Sequence, residues 1–123
     1  MQWLVIALGG ALGALARYGI AIHLAPSNSG EFPTATVLAN VLGSFLVGVA
    51  YVFMVERGGL PVLTRDMLMI GFLGAFTTFS AFSLEALLLW QAGHIQAALL
   101  YLFLTLFLCL VAVTSAVWLT RLI

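Results

Sequence analysis

The sequence runs to 123 residues, of which 64% are hydrophobic and only 7% charged, with a mean hydropathy of +1.23. That composition excludes a soluble domain of ordinary make-up and predicts an integral membrane protein. A formal net charge of zero argues against a nucleic-acid partner, and the lone Cys109 leaves nothing for an intrachain disulfide.

Four apolar runs follow one another, at 3–24, 33–55, 67–90 and 95–119. Each is long enough to cross a hydrocarbon core of roughly 30 Å at about 1.5 Å per residue. They predict a single all-α membrane domain over residues 1–123, its spans joined by little more than turns. There is no room for a nucleotide loop or a catalytic head, and no nucleophile stands beside a base. Function is therefore expected inside the bilayer, and not as an enzyme.

The first run starts at Met1 and contains small residues from Gly9 to Ala16, but it has no basic leader and carries Arg17. A retained helix is expected rather than a signal peptide. Gly9-x-x-x-Gly13 and Gly10-x-x-x-Ala14 are spacings at which another helix backbone can come close. Arg17 lies one turn further along the Gly9, Gly13 line. It is either an interfacial anchor or a cation that draws anions into an aqueous vestibule.

Residues 25–32, with Pro26, Asn28 and Gly30, read as a turn, and Pro33 suits the first turn of the second span. In that span Thr36, Asn40, Ser44 and Gly48 recur every fourth residue and form one polar stripe. A mid-membrane amide such as Asn40 must find partners, either as interhelical glue or as a ligand for a passing solute. Glu56, Arg57, Arg65 and Asp66 then form a solvated, mutually compensated edge. With four spans, both termini and this loop share a face that holds Arg57, Arg65 and Arg121 against Arg17 inside the membrane. This soft bias makes that face cytoplasmic and fixes orientation weakly.

The third span is unusual. Gly71 to Glu85 reads G-F-L-G-A-F-T-T-F-S-A-F-S-L-E. Glycine is about 1 kcal/mol worse than alanine in a helix, and Thr77-Thr78 lowers helix propensity further, so a break is expected between Gly74 and Thr78. Irregular backbone at bilayer depth survives only inside protein or beside a watery cavity. Phe79 and Phe82, at i and i+3, share a face. They are either lipid-compatible filler or ring edges, which are positive, presented to an anion. Glu85 is a mouth residue or an interfacial acid. After a turn at 91–94, His94 and the distant His23 offer no metal site. In the fourth span Tyr101, Thr105 and Cys109 form a second stripe that fades at Val113. Its hydroxyls can bond back to helix carbonyls or line a polar path.

The motif at 71–85, the N-x-x-G-S-F run at Asn40 to Phe45 and G-G-A-L-G-A-L-A-R-Y at Gly9 to Tyr18 resemble the small fluoride channels of the Fluc (CrcB) family. The resemblance spans the whole chain in length and span count. It implies an antiparallel homodimer of four-helix subunits in a prokaryotic inner membrane, each with a broken third helix. Two anion pathways and one central structural sodium ion go with that dimer. On this likeness the fluoride pathway falls on Asn40, Phe79, Phe82, Ser80, Thr36, Tyr101 and Thr105. The vestibule falls on Arg17 and Glu85, and the sodium-holding backbone carbonyls on Gly74 and Thr77. Cys109 and Val113 depart from the hydroxyls usual on the fourth helix.

Passive fluoride export, lowering fluoride toxicity in the cytoplasm, needs neutral ligands that replace a tightly held hydration shell without trapping the ion. The alternatives are a small dual-topology exporter of cationic drugs and a non-transporting assembly subunit. The exporter would want a buried carboxylate in the first helix, where this chain has Arg17. The assembly subunit would need small-residue faces but no break with a phenylalanine face.

Overall fold

The computed structural model describes residues 1–24 and 31–123. Residues 25–30 of the expected turn lie outside the described residues. The described chain is helical throughout apart from short connections. Four stretches are long and apolar enough to cross a membrane: α1 (Gln2–Leu24), α2 (Thr34–Glu56), the third span (Val62–Gln91) and α5 (Ile95–Leu122). The third span is composed of α3 (62–76) and α4 (Phe79–Gln91). It starts five residues earlier than hydropathy suggested, directly after Pro61, because the polar Thr64, Arg65 and Asp66 are carried in its first turns. Pro33 is the residue before α2 rather than its first.

Glycines decide how the helices meet. A Cβ added at Gly13 would stand 2.1 Å from the Phe72 carbonyl oxygen, and one at Gly9 would stand 2.2 Å from that of Met67. From the other side, a Cβ at Gly71 would meet the Ile6 carbonyl at 2.6 Å. So α1 lies backbone against backbone on the 67–73 stretch of α3, which is wound with the wider π repeat. Gly48 does the same for α2 against α5, facing Val113 and Ala116. The Gly9-x-x-x-Gly13 spacing of the first span is thus a contact within the subunit.

The core is a cluster of Phe82, Ala86 and Leu89 from α4 with Ala98 and Tyr101 from α5, flanked by Phe32 and Val37. Tyr101 is fully buried, with the Phe82 ring at 5.1 Å and the Phe32 ring edge-on at 5.5 Å. Outward, Leu12, Tyr18, Phe103, Phe107, Leu110 and Trp118 are each more than half exposed, an apolar coat suited to acyl chains.

The charges at one end are paired. Arg121 bonds Glu56, Arg57 donates to the Thr120 carbonyl at 2.8 Å, and Arg65 meets Asp66 at 3.2 Å. The expectation of a solvated edge needs correction at Asp66, whose side chain is buried. Gln2 Nε2 donates to it at 2.6 Å, fastening the start of α1 to α3.

Candidate functional site

Between α3 and α4 the backbone leaves the helical region for two residues. Thr77 has φ −83° and ψ 154°, and Thr78 has φ −148° and ψ 123°. Helical hydrogen bonding fails here, so each peptide group needs another partner. Side chains from α1 and α2, and that of Thr78 itself, provide some of them.

Asn40 on α2 takes the whole Thr78 peptide. Its Nδ2 donates to the Thr78 carbonyl at 3.0 Å, and its Oδ1 accepts from the Thr78 N–H at 2.7 Å. Arg17 on α1 donates from Nε to the Ala75 carbonyl at 3.1 Å, placing its charge at the negative end of α3. Thr78 Oγ1 accepts from the Ala81 N–H at 3.2 Å and caps α4. In a continuous helix the Thr78 and Ala81 amides would have donated to the Gly74 and Thr77 carbonyls. With both amides diverted, those two oxygens lose their helical donors.

A cavity of about 350 Å³ opens beside this segment. Asn40, Ser44, Phe79, Phe82, Thr105 and Cys109 are among its lining, together with Gly74, Thr77 and Thr78, and none of the lining side chains is charged. The Phe79 and Phe82 rings lie 5.5 Å apart and tilted, yet their surroundings differ: Phe82 is 3% exposed and Phe79 73%. Thr105 Oγ1 is buried without a hydrogen-bond partner. It does not bond back to its own helix.

A second polar cluster sits on the other side of Phe82. The Glu85 carboxylate accepts from Thr36 Oγ1 at 2.8 Å and from the Tyr101 hydroxyl at 2.6 Å. Glu85 was expected near the membrane mouth. It turns inward because it lies on the helix face of Phe82 and Leu89, three residues before and four residues after it, both of which are buried. Ser80 is exposed, with Oγ 3.3 Å from Thr78 Oγ1.

The structure therefore gathers Asn40, Phe79, Phe82, Thr105, Gly74 and Thr77 around one cavity and groups Thr36, Tyr101 and Glu85 beyond it. Arg17 is held against the end of α3. Thr78 was absent from the expected site residues, although a threonine just ahead of a helical run is a capping signal. Ser44 was visible only as part of the stripe.

Residues 4–117 match the sequence profile of the family described as CrcB-like protein, Camphor Resistance (CrcB). The chain belongs to the CrcB-like family. Among its relatives, a protein of Saccharophagus degradans named fluoride-specific ion channel FluC is 55% identical over 119 residues, covering 97% of this chain and 89% of the relative. One of Hahella chejuensis with the same name is 49% identical, covering 96% and 93%. One of Thermus thermophilus, also so named, is 47% identical, covering 87% and 84%. The resemblance seen in the sequence motifs is borne out, and these CrcB-like relatives are ion channels, not enzymes.

Proposed function

We propose that the chain forms a fluoride channel in a prokaryotic inner membrane, passing the ion down its electrochemical gradient and so lowering its concentration in the cytoplasm. The observation that carries the proposal is the uncharged cavity wall, lined by Asn40, Ser44, Phe79, Phe82 and Thr105. Hydroxyl donors and ring edges can replace part of fluoride's water without the tight hold of a buried cation. The naming of the relatives points to the same ion. Asn40, Phe79, Phe82, Ser80, Thr36, Tyr101 and Thr105 form the path in this proposal, and Arg17 and Glu85 bias the field at its ends.

The working unit is an antiparallel homodimer with an interrupted third span in each subunit and two pathways. Gly74 and the Phe79 ring, both exposed on the single subunit, are natural surfaces for a partner to cover. A structural sodium ion on the dimer axis fits the same place. The Gly74 and Thr77 carbonyls, stripped of helical donors, are neutral oxygen ligands suited to a hard cation, and two from each subunit would supply four. Bound there, the ion would tie the two interrupted spans together.

Liposomes containing only this protein provide the test. Rapid fluoride loss with chloride retained is expected. Proton-coupled uptake of a lipophilic cation would favour an exporter, and no transport of either would favour an assembly subunit.

A further inference from the structure

We infer that Asn40 and Thr78 are positioning residues for the proposed sodium site, each holding an amide N–H that would otherwise close on the Gly74 or the Thr77 carbonyl. The inference rests on the sodium reading above and adds to it the side chains that keep the two oxygens available. In a helix running unbroken through this stretch, the Thr78 N–H would donate to the Gly74 carbonyl and the Ala81 N–H to the Thr77 carbonyl. Asn40 Oδ1 takes the first of these amides at 2.7 Å, and Thr78 Oγ1 takes the second at 3.2 Å. The other bond of the Asn40 side chain, from Nδ2 to the Thr78 carbonyl at 3.0 Å, fixes the plane of the same residue's backbone.

An N–H without an acceptor in mostly apolar surroundings is costly, so each amide takes the acceptor it is offered. Without Asn40 Oδ1, the next acceptor for the Thr78 N–H is the Gly74 carbonyl one turn back, and α3 runs on past Phe76. Without Thr78 Oγ1, the Ala81 N–H turns to the Thr77 carbonyl, and α4 winds back by a turn. Either change covers an oxygen that the cation would use, and only the modest helix propensity of the two threonines opposes it. Thr78→Val is the cleaner perturbation. Valine keeps the shape of threonine and suits the extended dihedrals of this position, φ −148° and ψ 123°, so that only the acceptor is removed.

The test is made on protein prepared in detergent without sodium. Its unfolding temperature is followed as sodium chloride replaces N-methylglucamine chloride at constant ionic strength, and the sodium held after desalting is measured by atomic emission. A cation that binds the folded state raises that temperature as its concentration rises. For Thr78→Val and Asn40→Ala, the sodium giving half the rise should increase about tenfold or more, and the desalted protein should hold less sodium. Thr78→Ser, which restores the acceptor, should behave as the unaltered protein. So should Leu89→Ala, which lowers the unfolding temperature by opening a hole in the core, where Leu89 is 4% exposed, but leaves both acceptors in place. Unchanged sodium dependence in Thr78→Val, or an equal loss in Leu89→Ala, would overturn the inference and leave the sodium site standing. Neither a sodium response nor retained sodium in the unaltered protein would overturn the site, and the inference with it. If Asn40→Ala does not fold, Thr78→Val decides alone.

Discussion

Removing the Asn40 amide separates two roles that the sequence left open. If the side chain only touches a passing anion, Asn40→Ala should reduce fluoride flux and leave stability alone. The structure instead gives it both hydrogen bonds of the Thr78 peptide. Truncation would strand a backbone N–H and a C=O beside a mostly apolar cavity. Each buried unsatisfied group costs about 1–3 kcal/mol, so the upper estimate is about 2–6 kcal/mol. Side-chain hydrogen bonds in membrane proteins average nearer 0.6 kcal/mol each, and water entering the cavity would re-pair part of the peptide, so about 2 kcal/mol is expected. Thermal unfolding in detergent and fluoride efflux, measured on the same preparation, decide the matter. Both should fall for Asn40→Ala. An unchanged melting curve with lost flux would refute the clamp and leave only the ligand role.

Phe79→Ile should cripple fluoride flux with little effect on subunit stability, since the ring is 73% exposed, whereas Phe82→Ala should destabilise by about 3–5 kcal/mol because that ring is in the core; melting curves separate them. Gly13→Ala should cost about 1–3 kcal/mol or more and reduce the yield of folded protein, since its Cβ would meet the Phe72 carbonyl, and a wild-type melting curve would contradict the close approach of α1 and α3. Arg17→Ala should lower both flux and melting temperature by removing the donor to the Ala75 carbonyl. Raising ionic strength should not mimic it, as it would if the arginine acted only by attracting anions from solution.

The fold was largely legible because membrane spans are a matter of length and hydropathy, and the described residues hold four stretches of that kind, the second starting at Thr34, just after Pro33. Poor helix formers at 71–78 marked the stretch where Thr77 and Thr78 take extended dihedrals. What periodicity could not tell was who partners whom. A stripe shows that Asn40 faces inward, but not that its amide meets a peptide instead of a solute. Position along the helix places Glu85 toward a membrane surface, but only its helix face shows that its carboxylate turns inward to Thr36 and Tyr101. A charge beside Arg65 predicts a solvated Asp66, and the partner that buries it, Gln2, lies 64 residues away.

Disposal of charge explains why the cavity can be neutral. Arg57, Arg65 and Arg121 are spent at one end of the bundle on the Thr120 carbonyl, Asp66 and Glu56. Arg17 is spent on the Ala75 carbonyl and Glu85 on two hydroxyls. None of these charged groups lines the cavity. Each is held where it neutralises backbone or a neighbour, and the carbonyl at the end of α3 that would otherwise repel an anion is covered by a guanidinium. An anion in the cavity would thus feel donors and ring edges close by and a cation only at one remove. In the proposed channel, that arrangement would attract an anion without binding it too tightly to leave.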